Sequence, residues 1–182
     1  MSSFIYLFTA ELEPLEIDPT TIRFGQQLGE GQFGNVLEGT CTVIPGRDKQ
    51  KPVTVAIKFL SGDQDQSARD TFIKEAHRLA RLPHPHIVAL LGVCFKETPS
   101  FIVMELMSRG DLKEMLTTTR EKHMSLPPLQ QIIIAKQIAS ALMFLATIPF
   151  VHRDIAARNV LIAEDDVYKL GDFGALVVIN MG

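Results

Sequence analysis

Phe150-Val151-His152-Arg153-Asp154-Ile155-Ala156-Ala157-Arg158-Asn159-Val160-Leu161 gathers a histidine, two arginines, an aspartate and an asparagine between apolar flanks. Lys169-Leu170-Gly171-Asp172-Phe173-Gly174 follows, with its aspartate eighteen residues after Asp154. Taken alone, Asp154 has an ordinary use, since aspartate commonly caps helices and turns by accepting nearby backbone N–H groups. Just upstream, residues 129–146 carry Ile134, Ile138, Leu142 and Leu145 at helical spacing. That segment is apolar almost all round, so a helix buried in a core is expected. Further upstream, residues 87–95 and 101–106 read as strands, and 66–81 as a helix with Phe72, Ala76, Leu79 and Ala80 on one stripe. Pro83 and Pro85 end that helix. From residue 22 to about 60 the texture is strand and turn. The layout is a small β-rich half with one helix, followed by a helical half.

The β-rich half opens on Leu28-Gly29-Glu30-Gly31-Gln32-Phe33-Gly34-Asn35-Val36, which contains G-x-G-x-x-G. Glycines at this spacing let a backbone approach phosphate groups with its N–H donors free, although glycine also marks plain turns. A dinucleotide-binding unit requires a helix directly after the third glycine. The chain continues instead as Asn35-Val36-Leu37-Glu38-Gly39-Thr40-Cys41-Thr42-Val43, which predicts a returning hairpin and disfavours a dinucleotide-dependent oxidoreductase. A P-loop is excluded because no Gly-Lys-Ser/Thr follows. In Val55-Ala56-Ile57-Lys58, alternation turns Ala56 and Lys58 to the same face. A lysine among inward apolar groups requires an anionic partner, whereas at an edge it reaches solvent. Glu75 borders the apolar stripe of helix 66–81 and is the candidate partner. His77 falls on the opposite side and is expected in solvent. His84 and His86 flank Pro85 without further ligands, so a structural loop is expected there rather than a metal site.

The glycine segment, Val-Ala-Ile-Lys, the helix glutamate, His-Arg-Asp with an asparagine five residues later, and Asp-Phe-Gly stand in one order. In that order they resemble the protein kinases, over residues 22–174. The resemblance implies an α+β, protein-kinase-like fold: a complete small β-rich N-lobe with one helix, about residues 22–106, and the first part of a helical C-lobe, 107–174. It implies ATP and Mg2+ as cofactors. Gly29, Gly31 and Gly34 would cover the phosphates, and Lys58, held by Glu75, would bind the α- and β-phosphates. Leu28, Val36 and Ala56 above and Leu161 below would enclose the adenine. Met104 takes the gatekeeper position, Glu105, Leu106 and Met107 the hinge, and Asp111 a ribose-binding position. Asp172 and Asn159 would hold magnesium, which prefers hard oxygen ligands. Asp154 would orient the substrate hydroxyl and accept its proton. Leu79, Leu90, His152 and Phe173 match the apolar column of active kinases. Ala156 stands where serine/threonine kinases usually carry lysine, and Arg158 follows Asp154 by four, as in tyrosine kinases. The implied activity is therefore transfer of the ATP γ-phosphate to protein tyrosine. Among tyrosine kinases the motifs are most similar to the focal-adhesion-kinase type, and Met104 through Lys113 to the insulin-receptor type.

Composition agrees with a globular chain: 46% hydrophobic and 21% charged residues, with 18 Lys and Arg against 21 Asp and Glu for a net charge of −3. That balance gives no support to nucleic acid as a partner. No apolar run reaches the roughly 18 residues of a membrane helix, so no span is expected. The run Phe4-Ile5-Tyr6-Leu7-Phe8 is short and lacks a preceding basic residue, so a signal peptide is not expected. Cys41 and Cys94 make neither a disulfide framework nor a metal spacing, which suggests a reducing, cytoplasmic setting. Residues 1–21, acidic and carrying Pro14 and Pro19, read as an extended lead-in or linker.

The likeness to kinases stops after Gly174, where an activation loop and several large helices normally follow. Here Ala175-Leu176-Val177-Val178-Ile179-Asn180-Met181-Gly182 reads as a non-family tail. Helix 129–146 is then expected to lose packing partners, with chaperone association as a consequence. Two readings stay open: a tyrosine kinase segment acting on protein tyrosines, and a truncated, catalytically incompetent product that binds nucleotide or partners.

Overall fold

Strand alternation and helix periodicity build two units, seen in a computed structural model that describes residues 3–31, 34–47, 51–60, 66–148, 150–173 and 177–178. The first unit holds the described part of Met1–Leu82 together with Ala89–Leu106. Its helices are α1 (Ser3–Leu12) and α2 (Gln66–Ala80). Its antiparallel strands are β1 (Ile22–Gly31), β2 (Gly34–Cys41), β3 (Val53–Phe59), β4 (Leu90–Cys94) and β5 (Phe101–Glu105), in the sheet order β1-β2-β3-β5-β4. Successive side chains on a strand point to opposite faces, and the core divides accordingly. Val55 and Ile57 of β3 join Phe101 and Val103 of β5, with Ile17, Ile22, Cys41 and Leu91, in one cluster. The alternate residue Ile102 joins Val93 and Phe95 against Phe72, Ile73 and Ala76 of α2 in the other. Register pairs Ala56 with Met104 and Lys58 with Ile102, so Lys58 shares the face that α2 covers.

Residues 1–21, expected to be an extended lead-in, hold α1 and two 3₁₀ turns (Glu13–Leu15 and Pro19–Thr21), giving this unit a second helix. Ile5, Phe8 and Leu12 recur at helical spacing. Ile5 and Leu12 are fully buried against α2, and Phe8 packs on the same cluster. The chain after α1 is tied to the sheet: Ile17 N–H donates to the Val93 carbonyl (2.7 Å), and Glu16 Oε1 accepts from the N–H groups of Phe95 and Lys96 (2.9 Å each).

The second unit holds Pro83–Val88 and the described part of Met107–Gly182. It contains α3 (Leu112–Glu121), α4 (Pro128–Ala146), and two antiparallel strand pairs: β6 (Phe150–Val151) with β9 (Val177–Val178), and β7 (Val160–Ile162) with β8 (Tyr168–Leu170). Residues 83–88 belong here because their backbone bonds run to β8. Val88 N–H donates to the Leu170 carbonyl and Leu170 N–H to the His86 carbonyl, both at 2.9 Å. The His84 ring stacks on Phe144 of α4 with centroids 5.1 Å apart. The His84-Pro85-His86 segment is thus the structural loop its sequence suggests. Of the expected non-family tail, Val177 and Val178 pair with β6, while Ala175, Leu176 and residues 179–182 lie outside the described residues, as does Gly174.

Helix α4 departs from the burial its composition predicts and agrees with the expectation that it lacks packing partners. Its apolar character predicts burial, yet only Ala141 and Leu145 are buried, and Leu129, Ile132 and Met143 are 69%, 63% and 72% exposed. Besides Ala141, Leu145 and the His84–Phe144 stack, polar contacts dock it. Gln137 Oε1 accepts from Tyr168 N–H (2.7 Å) while its Nε2 donates to the Asp166 carbonyl (3.1 Å), and Gln130 Nε2 donates to the Tyr168 hydroxyl (2.9 Å). By length and composition α4 could cross a membrane. Its glutamine contacts to β8 and its exposed Lys136 are those of a helix seated on folded protein rather than in hydrocarbon.

Candidate active site

The expected catalytic residues fall into two groups, one in each unit. In the first unit β3 lies inside the sheet, between β2 and β5, so Lys58 has no edge from which to reach water. Its Nζ donates to both carboxylate oxygens of Glu75, at 2.7 and 2.9 Å, with side chains 10% and 3% exposed. A buried ammonium and carboxylate are each costly alone, and their bidentate contact offsets part of that cost. The pair forms because alternation turns Lys58 inward and α2 presents Glu75 to the same face.

Gly29 and Gly31 lie on β1, and Gly34 and Val36 on β2. The register pairs Gly29 with Val36 and Gly31 with Gly34, which is the returning hairpin; Gln32 and Phe33 at its tip lie outside the described residues. The glycines of this unit differ in what they accommodate. A Cβ at Gly39 would collide with Ile57, and one at Gly92 with Ile17, so packing accounts for both. At Gly29 an added Cβ would meet nothing within 4 Å among the described residues. Internal packing therefore does not require a glycine there. Leu28 is exposed, Val36 half-buried and Ala56 buried. Met104 packs beside the α2 cluster. Glu105 ties β5 to Ala89: its N–H donates to the Ala89 carbonyl (3.1 Å) and its Oε1 accepts from Ala89 N–H (2.7 Å).

In the second unit the loop between β6 and β7 builds a hydrogen-bonded cluster around Asp154. Arg158 donates to Asp154 Oδ1 (2.5 Å), and Asn159 Nδ2 donates to both the Asp154 carbonyl and Oδ2 (2.8 Å each). The Asn159 amide first, and the Arg158 guanidinium next, hold the Asp154 carboxyl below the usual carboxylate range. His152 organises the loop from beneath. Its Nδ1 accepts from Asp154 N–H (3.3 Å), so Nε2 carries the proton and donates to the Gly171 carbonyl (3.0 Å). The buried Phe173 ring meets His152 edge-on with centroids 4.8 Å apart. Arg153 and Asp172, on either side of this cluster, hold φ angles of 65° and 54°. Left-handed backbone in such residues costs about 1–3 kcal/mol and persists where the surroundings enforce it, commonly at functional sites.

Asp172 is exposed directly after β8, and Leu161 lies on β7. Met107 and Asp111 also belong to this unit. Asp111 caps α3 by accepting from Glu114 N–H (2.9 Å), an ordinary structural use for a residue expected at ribose. Sequence reading missed two partners. The Gly171 carbonyl that fixes His152 is backbone, which no side-chain motif reveals. His77, expected in solvent, is buried with its Nε2 2.6 Å from Glu11 Oε2. The helical stripe of Ile5, Phe8 and Leu12 was the signal that could have placed α1 over it.

The family model for protein tyrosine and serine/threonine kinases matches residues 22–180. Human epithelial discoidin domain-containing receptor 1 is 36% identical over 181 residues, covering 84% of this chain and 19% of the receptor. Human tyrosine-protein kinase FRK is 38% identical over 167 residues, 91% of this chain and 30% of that protein. The tyrosine-protein kinase transforming protein Abl of Abelson murine leukemia virus is 36% identical over 170 residues, 93% of this chain and 21% of that protein. The chain thus spans about a fifth to a third of the length of these relatives. With the Lys58–Glu75 pair in one unit and the Asp154 cluster in the other, this match means that the chain belongs to the protein tyrosine and serine/threonine kinase family.

Proposed function

We propose that the chain carries the nucleotide- and magnesium-binding chemistry of a protein tyrosine kinase, with Asp154 orienting the tyrosine hydroxyl and accepting its proton as the γ-phosphoryl group transfers. The observation that carries this reading is the Asp154 cluster: a carboxylate kept ionised and aimed by Arg158 and Asn159 on one short loop. A base for this step needs position first and the right protonation state second. Arg158, with Ala156 in place of lysine, favours tyrosine over serine or threonine, and two of the relatives are named as tyrosine-protein kinases.

The donor set suits magnesium. Asn159 gives its amide nitrogen to Asp154, which leaves a hard carbonyl oxygen for a cation, and Asp172 offers an exposed carboxylate. Magnesium characteristically takes one or two such ligands and completes its shell with phosphate oxygens and water. When bound, it would neutralise charge on the phosphates. Lys58, held by Glu75, would contact the α- and β-phosphates. The space over Gly29 among the described residues supports close approach of a phosphate to β1 there. Val36, Ala56 and Met104 would contribute the apolar contacts of the adenine in this unit, with Glu105 offering backbone groups. Protein tyrosines are the proposed substrates. Cys41 and Cys94, both buried free thiols, support a reducing, intracellular setting.

Purified chain incubated with ATP, Mg2+ and a Glu-Tyr copolymer is expected to yield phosphotyrosine, and Asp154→Asn to abolish it while nucleotide binding persists. Equal phosphorylation by the variant would sink the assignment of Asp154. A second reading, a nucleotide- or partner-binding product without turnover, is favoured by the exposed apolar residues of α4. It predicts a melting temperature raised by ATP and Mg2+, no phosphotyrosine, and co-purification with a chaperone.

A further inference from the structure

Helix α2 carries Glu75 on one side and His77, two residues on, on the other, and both are buried. Two residues of helix turn the side chain by about 200°, so burial on both sides requires a second layer beyond the sheet. That layer is α1. Glu11 Oε2 lies 2.6 Å from His77 Nε2, and the Phe8 ring stacks on the imidazole with centroids 4.2 Å apart and planes 25° from parallel. Ile5 and Leu12 fill the remaining contact with Phe72, Ile73 and Ala76. At its other end α2 is tied to the sheet by Arg69, which donates to the Phe95 carbonyl (2.9 Å) and to Ser100 Oγ (3.0 Å). The segment after α1 is bonded to Val93, Phe95 and Lys96 of the same sheet end. Helix α2 is therefore gripped from outside by a segment that lies before the kinase match begins at residue 22.

We propose that α1 is a clamp on α2, with Glu11, His77 and Phe8 as positioning residues that keep Glu75 on Lys58. Displacing α1, by a partner or by modification of residues 3–16, would free α2 to shift and loosen the ion pair from outside the nucleotide site. The inference rests on the kinase reading for its consequence, but the coupling itself is testable without turnover.

Acetylation of each lysine by an N-hydroxysuccinimide ester, followed by mass spectrometry of the whole chain, reports how well Lys58 is held. Glu75→Gln, which breaks the pair directly, sets the upper rate. Glu11→Ala, at a half-exposed carboxylate, is expected to raise Lys58 labelling at least about fivefold, the low end of ordinary coupling between sites. Glu11→Gln, which still bonds to His77, is expected to return the rate toward the unmodified chain; a purely bulk loss of stability would not be rescued this way. Arg109→Ala, which removes an exposed ion pair with Asp166 in the other unit, should leave Lys58 unchanged. Wild-type labelling of Lys58 in Glu11→Ala overturns the clamp, whether or not Glu75→Gln labels faster. The kinetic counterpart is a lower kcat with unchanged peptide KM in Glu11→Ala. Labelling that responds in a chain that phosphorylates nothing removes the kinase reading and keeps the clamp; phosphorylation and labelling both indifferent to Glu11→Ala do the reverse.

Discussion

Helix α2 is charged along much of its length and buries Phe72, Ile73, Glu75, Ala76, His77 and Leu79, whereas α4 is apolar along most of its length and buries only Ala141 and Leu145. Their surroundings account for the reversal. Helix α2 is sandwiched between the five-stranded sheet and α1, so even its charged side chains find partners inside. Helix α4 rests on β8 through glutamines and has no second layer over Leu129, Ile132 or Met143 among the described residues. Burial is a property of what packs against a helix, and composition only states what the helix would gain from cover.

The largest effect is expected from Phe72→Ala, which empties the fully buried ring site between α2, α1 and the sheet. Truncations of this kind cost about 3–5 kcal/mol, read as a fall in the urea midpoint. A loss below 1 kcal/mol would mean that the layer over α2 is not well packed. Next comes Gln137→Ala, which strips Tyr168 N–H and the Asp166 carbonyl of their partner on α4. Leaving such groups unsatisfied costs about 1–3 kcal/mol, and the same denaturation series measures it. Ile132→Ala, on the exposed face of α4, should lie within about 0.5 kcal/mol of the parent chain while lowering binding of an apolar dye. A large destabilisation there would show that α4 is covered after all.

The smallest effect concerns pH. The Asp154 carboxyl titrates below its usual range in the folded chain. Its ionised form is therefore favoured by folding, and that contribution is fully present above the unfolded carboxylate range and is lost as pH falls through the lower, folded value. Asp154 should stay ionised through the mildly acidic range, so an acid limb of phosphorylation in that range belongs to another group. Asp154→Asn should flatten the dependence of stability on pH only at the acid extreme, checked by thermal unfolding across a pH series. Arg158→Ala is expected to move the Asp154 titration upward, read by carboxyl carbon NMR, because a donor to the carboxylate is removed.

Much of the candidate site was legible as ordered short motifs, because the residue types suited to phosphate are few and their spacing is set by local backbone. The Lys58–Glu75 pair followed from two periodicities, alternation on β3 and the stripe of α2, which agree across seventeen residues. His77 was misjudged because periodicity assigns a residue to a side of its helix and says nothing of what lies there. The same limit applies to α4, whose apolar pattern correctly predicts a helix and misstates its burial. Residues 1–21 read as lead-in from their acids and prolines alone, and the stripe of Ile5, Phe8 and Leu12 becomes decisive only with α1 docked on α2.

The order of the motifs was enough by itself to point to the family and to the residues proposed for nucleotide and magnesium, and local periodicity marked most of the strands together with α2 and α4 but neither α1 nor α3, since each of these readings depends on neighbours within a few positions. Tertiary structure alone decided that α1 roofs α2, that residues 83–88 belong with β8, and that the Gly171 carbonyl orients His152. The reason is that burial, long-range hydrogen bonds and tautomer choice arise from groups tens of residues apart, whose proximity no local pattern encodes.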